Sequence, residues 1–182
     1  IAALTETQIG ALNATNIAAL SATAVSAFDS GQFAALDATQ VRALTSTQVA
    51  ALDETDVSEF TTTQIAALTA TQVTNLTGTV VEALADTQIA ALTTAQVQAL
   101  KATNIAAMAD SQIAAFAATQ VAALTASQIA GLDTTNLDAF TETQMGALTT
   151  TQLAIFSSTN VASFADSQIA ALSTTQIQSF TA

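Results

Sequence analysis

The chain contains no cysteine, histidine, proline, tryptophan or tyrosine, and Arg42 and Lys101 are its only basic residues. The absence of cysteine rules out disulfides, thiolate nucleophiles and zinc-thiolate sites, and leaves the redox state of the compartment open. The absence of histidine deprives the many serine and threonine hydroxyls of their usual activating base, and Lys101 is the only side-chain amine. Fourteen Asp and Glu against two Lys and Arg give a net charge of -12. Such a surface repels phosphate, so nucleic acid and anionic lipid are not expected partners. Thr, Gln and Ser interrupt every apolar run well short of the roughly 18 residues that a membrane span needs. The expectation is a protein that is not an enzyme, holds no cofactor, takes no small-molecule substrate and does not insert into a membrane.

What the chain does have is a register of eight. Starting from Ile1, 22 complete octads and six further residues follow without insertion or deletion: IAALTETQ, IGALNATN, IAALSATA, and so on to IQSFTA. A repeat of this kind lets its units be compared position by position within one chain. Position 1 is always Ile, Val, Leu, Met or Phe, and position 4 is always Leu, Phe or Met. These are the core, represented by Ile65, Leu68, Ile89, Leu92, Ile113, Phe116, Val121, Leu124, Ile169 and Leu172. The phenylalanines share this register, which makes them core fillers and not a stacking platform. Position 3 is mostly Ala, as the close approach of another segment requires, while positions 2 and 6 vary freely and face solvent.

Position 7 is Thr or Ser in every octad except at Gly31 and Ala95, and position 8 is Gln in fifteen octads and Asn at Asn16, Asn104, Asn136 and Asn160. An exposed polar site would vary as position 6 does. Positions 7 and 8 are therefore expected to be pinned by hydrogen bonds that bridge turns or cap backbone groups.

An unbroken helix cannot carry this register. Eight residues at about 100° each turn through roughly 800°, so the apolar pair would rotate by about 80° per octad and circle the cylinder. The helix has to stop and restart. Position 5 as N-cap and position 8 as third helical residue give T-x-x-Q, the capping-box pattern, with Thr61, Thr63 and Gln64 in one octad and Thr69, Thr71 and Gln72 in the next. Positions 1 and 4 then share a face. The predicted fold is all-α: a solenoid of very short helices, each too short to persist alone and held by its neighbours. The alternative is a β-solenoid, in which the T-x-T-Q-[IV] run forms strands and Thr and Gln stack as ladders. Few glycines, no proline and many Ala-Ala-Leu triplets favour the helical form. Residues 1–182 are expected to form a single continuous array, and the mid-pattern start at Ile1 points to a segment of something longer.

The densest acidic stretch, ALDETDVSEF, offers Asp53, Glu54, Asp56 and Glu59 as candidate Ca²⁺ ligands. The glycine-rich turns of calcium loops are missing, and the preferred reading is a solvated face with Asp53 as a helix cap. Seven octads carry Thr at both positions 5 and 7, beginning Thr5/Thr7, Thr45/Thr47 and Thr61/Thr63. This T-x-T resembles the ice-facing motif of insect and bacterial β-helical antifreeze proteins, and implies ice binding if the backbone is β. Ala85, Lys101, Ala109, Ala117 and Ala165 break it.

Across the whole chain, tandem L-[ST]-x-x-Q-[IV]-x-A units resemble the octapeptide arrays of very large bacterial secreted or cell-surface proteins. The resemblance implies an extracellular structural or adhesive role. The expected function is a rod, fibre or matrix segment that self-associates by stacking into a homopolymer or bundle, with an adhesin stalk or partner-binding scaffold as a further alternative.

Overall fold

Each octad folds as one helix of four to six residues. The structure, a computed structural model, describes residues 3–180; Ile1, Ala2, Thr181 and Ala182, which the octad register includes, lie outside the described residues. Twenty-two such helices follow one another, and among the described residues there is no strand. The backbone is therefore the all-α solenoid, and the β-solenoid alternative falls.

The octad dictates where each helix starts and stops. Position 5 is extended, with φ -66 and ψ 159 at Thr61, and its hydroxyl accepts the N–H of Gln64, so Thr62–Ala67 begins at position 6. At the far end Leu68, in position 4, donates its N–H to Ile65 O at 3.2 Å and then turns extended, at φ -57 and ψ 138. Two extended residues in succession, one apolar and one polar, make the corner. Among the described residues no φ is positive and no peptide is cis, so the corners need neither glycine nor proline.

The chain forms two compact units, Ile1–Ala99 and Leu100–Ala182. In the first, Ala14–Ala19 packs on Ala38–Ala43, which packs on Thr62–Ala67, which packs on Asp86–Ala91. In the second, Ala118–Ala123 packs on Glu142–Ala147 and that on Asp166–Ala170, while Asp110–Ala115 packs on Thr134–Asp138 and that on Ser158–Ser163. Within each unit, the helices that pack together in these series stand three octads apart. Within each unit three octads make one solenoid turn.

Positions 1 and 4 line the interior of these turns. Ile65, Ile89, Ile113 and Val121 are 0% exposed; Leu68, Leu92, Phe116 and Leu124 are buried beside them. Leu172 is also buried, whereas Ile169 is half-buried. Phe28, Phe33 and Phe60 meet edge to face, with centroids 5.5 and 5.3 Å apart, inside the first unit. Burial of a Leu, Ile or Phe side chain is worth about 1.5–3 kcal/mol. Helices of under two turns survive by that packing.

Candidate functional site: a buried amide ladder

The most chemically specific feature of the fold lies at position 8. Gln64 is the third residue of its helix. Its Oε1 accepts the backbone N–H of Thr61 at 2.8 Å, while Thr61 Oγ1 accepts the N–H of Gln64 at 3.3 Å. That completes the capping box, and two of the donors orphaned at the helix start are satisfied. The same amide then reaches across the solenoid: Nε2 donates to Phe33 O at 2.6 Å and to Leu36 O at 2.8 Å. These carbonyls stand 31 and 28 residues earlier, at positions 1 and 4 of the octad one turn below.

The pattern recurs in both units. Gln72 bridges to Val41 and Leu44 at 2.8 and 2.7 Å, and Gln96 to Ile65 and Leu68, both at 2.7 Å. In the second unit Gln144 bridges to Ile113 and Phe116 at 2.8 and 2.7 Å, and Gln168 to Leu137 and Phe140, both at 2.8 Å. A primary amide has two N–H donors and one carbonyl acceptor. Here both donors and the acceptor are used at once, so a polar group 2–4% exposed is buried without an unmade bond. A shorter side chain fails to span both carbonyls. Asn136 reaches only Ala106 O, at 3.3 Å.

The N-cap half is separable from the ladder half. Where position 5 is Ala, as at Ala85, Ala109, Ala117 and Ala165, no side-chain cap exists, yet the backbone N–H still donates to the Gln Oε1, at 2.8, 3.0, 2.6 and 2.9 Å. Position 7 behaves differently from the expectation. Thr63 and Thr71 are exposed and make none of the bonds that would pin them. The second residue of such a helix projects outward, away from both the cap and the next turn. At one exception, Gly31, a Cβ would meet the carboxylate of Glu6 from the octad one turn below, an exposed and flexible side chain that can swing aside.

The acidic stretch resolves into the same scheme. Asp53 caps Glu54–Ser58, its Oδ1 accepting the N–H of Asp56 at 2.9 Å, and Asp56 Oδ2 accepts the N–H of Asp53 at 3.0 Å. Asp56 thus occupies the amide's slot. It is 5% exposed, and burial pushes its carboxyl above the ordinary value, with the Asp53 N–H opposing and the Asp53 charge reinforcing the shift. Glu54 is exposed and Glu59 half-buried. Among the described residues no group of three or more Asp or Glu is gathered closely enough to hold a metal ion.

Open clefts follow the N-caps where one turn meets the next. One of about 510 Å³ is lined by Asp138, Phe140, Thr141, Glu142, Thr143, Ala165, Ser167 and Gln168, and one of about 360 Å³ by Leu52, Asp53, Glu54, Thr55, Thr77 and Thr79. Hydroxyls and carboxylates dominate both walls. No described helix is long and apolar enough to cross a membrane.

Comparison with curated proteins and with solved structures gave no match. Residues 25–62 match the model of the ALTTAQ repeat, so this stretch is similar to that repeat family. Those six letters stand verbatim at Ala91–Gln96. Here they mean the last Ala of one helix, the core Leu, the N-cap Thr of the next helix, two outward residues and the ladder Gln.

Proposed function

We propose that the chain is a non-enzymatic structural repeat protein that acts outside a bacterial cell, as a segment of a rod, fibre or matrix whose copies associate with one another. One observation carries the reading: the octad's repeated polar group, the position-8 amide, is spent inside the molecule on joining one turn to the next. In Gln64, Gln72, Gln96, Gln144 and Gln168 every amide donor and acceptor is bonded inward. Position 1 and position 4 fill the interior, and what faces solvent is chiefly Ala, Thr, Ser and scattered carboxylates.

That allocation suits a load-bearing stack, in which each turn is tied to its neighbour by apolar contact and by paired hydrogen bonds. The octad register runs on through Ala99 and Leu100 without gaining or losing a residue, in keeping with a single array along 1–182. The ice-binding alternative loses its footing, because the T-x-T residues are an N-cap and an outward helical residue, not neighbours on a flat strand.

Negative-stain microscopy and sedimentation over a range of concentrations test the proposal. Filaments, or species that grow with concentration, are expected. A monodisperse particle unchanged at every concentration would remove the self-association, and retention of one specific ligand by the immobilised chain would replace the structural role with that of a binding scaffold.

A further inference from the structure

Two bonds of the capping box protect the start of each helix. Apart from Ala102–Ala106, every described helix makes at least one of them; even Ala22–Val25 and Gly78–Glu82, which lack a position-8 amide, keep the hydroxyl bond from Ser21 and Thr77. Ala102–Ala106 makes neither. Its N-cap is Lys101, which has no acceptor to offer, and its third residue is Asn104, whose side chain does not return to the N-cap. The Nδ2 of Asn104 is buried and has no hydrogen-bond partner, so this donor is present but unused. Lys101 is exposed and extended, at φ -68 and ψ 141.

We propose that Lys101 is a built-in processing site, at which a lysine-directed endopeptidase divides the chain into residues 1–101 and 102–182. A protease of this class needs a basic side chain for its specificity pocket and an extended, locally unfolded segment across its cleft. Lys101 supplies the first in an extended conformation. The turn that follows is the weakest start among the described helices, because it lacks both box bonds and keeps the backbone bonds from Asn104 N and Ile105 N to Lys101 O, at 3.0 and 3.2 Å, and from Ala107 N to Thr103 O, at 3.2 Å, with Gln128 Nε2 holding the preceding Leu100 carbonyl at 2.8 Å. Hydrolysis breaks the C–N bond between Lys101 and Ala102. The water oxygen becomes part of the Lys101 carboxylate, and the Ala102 nitrogen leaves as an ammonium group.

Arg42 is the internal control. It is also exposed, and its neighbours are closely similar: Val41-Arg42-Ala43 against Leu100-Lys101-Ala102. But it lies inside Ala38–Ala43, a helix with a full box between Asp37 and Gln40. Gln40 ties that helix to Ile9 and Leu12, and Gln72 Nε2 lies 3.3 Å from the Arg42 carbonyl itself. Cutting there requires the interior of a capped helix to open, whereas the bond after Lys101 lies at the start of an uncapped one.

The test is timed digestion of the folded chain with trypsin, which accepts either residue, with fragments weighed by mass spectrometry and the ratio of the two cuts referred to that in urea. Cleavage after Lys101 is expected to lead by about ten-fold or more, from the missing caps. Asn104→Gln, which offers an Oε1 to the Lys101 N–H as Gln88 does to Ala85, is expected to slow the Lys101 cut by about three-fold or more while leaving the Arg42 cut unchanged. Equal rates at the two sites in the folded chain, or an N104Q variant cut at Lys101 as fast as its parent, would overturn the proposal.

Discussion

Replacing Gln64 isolates the ladder's contribution. Gln64→Met keeps the volume and removes all four amide bonds, one of them accepted from the Thr61 hydroxyl. Leu36 O and the Thr61 N–H are then left without partners, while Phe33 O retains the Leu36 N–H at 3.1 Å. The site is 3% exposed, so water does not readily replace what is lost. Two orphaned backbone groups at about 1–1.5 kcal/mol each, and a weakened third, give a loss of about 3 kcal/mol. Gln64→Glu separates hydrogen bonding from packing. One carboxylate oxygen still accepts from Thr61, but the other faces the two carbonyls, so at neutral pH this variant is expected to be at least as unstable as Q64M. On acidification the neutral carboxyl regains a donor and recovers stability relative to Q64M. Urea unfolding followed by far-UV circular dichroism reads both effects. A Q64M variant within about 0.5 kcal/mol of the parent, or a Q64E variant with no acid recovery, would refute the claim that these bonds hold the turns together.

Asp56 is a natural counterpart of that experiment. Asp56→Gln is expected to stabilise by about 2 kcal/mol in the same unfolding assay, since it removes a buried carboxylate and supplies donors to Val25 and Phe28, the carbonyls 31 and 28 residues before it. Because burial raises the Asp56 carboxyl above its unfolded value, the folded chain holds that proton more tightly. The gain is full below the ordinary carboxylate value and is lost as pH rises through the raised one, so the stability difference between the parent and Asp56→Asn should change in that window and level off on either side. Asn136→Gln is expected to gain about 1 kcal/mol by reaching the Ile105 and Met108 carbonyls that Asn136 misses, seen as a higher urea midpoint. Thr61→Ala should cost about 1 kcal/mol and Thr63→Ala almost nothing, since only the former hydroxyl caps a helix.

Much of this fold is legible in the octad. The i, i+3 apolar pair and the T-x-x-Q box each follow from side chains whose identity the structure constrains, so both leave a mark on the sequence. Asp53 and Asp56 could have been recognised in the same way, as a D-x-x-D box in the register of T-x-x-Q. The three-octad turn is different in kind. The ladder's acceptors are the carbonyls of residues such as Phe33 and Leu36, and a backbone carbonyl is the same whatever side chain it carries. Nothing at positions 1 or 4 announces which Gln will reach them. Thr63 and Thr71 mislead for the opposite reason, being uniform in type without being bonded.

The amide's indifference to the side chains beneath it also governs how such an array changes length. Within a unit, deleting or duplicating a single octad would still leave each glutamine a carbonyl pair to grasp, but every later residue would be carried round to the adjacent flank. Only changes by multiples of three restore the original alignment. Growth by one module is therefore mechanically silent, yet it rewrites the exterior, and surface neighbours such as Glu6 and Gly31 stay together only when the tally between them is preserved.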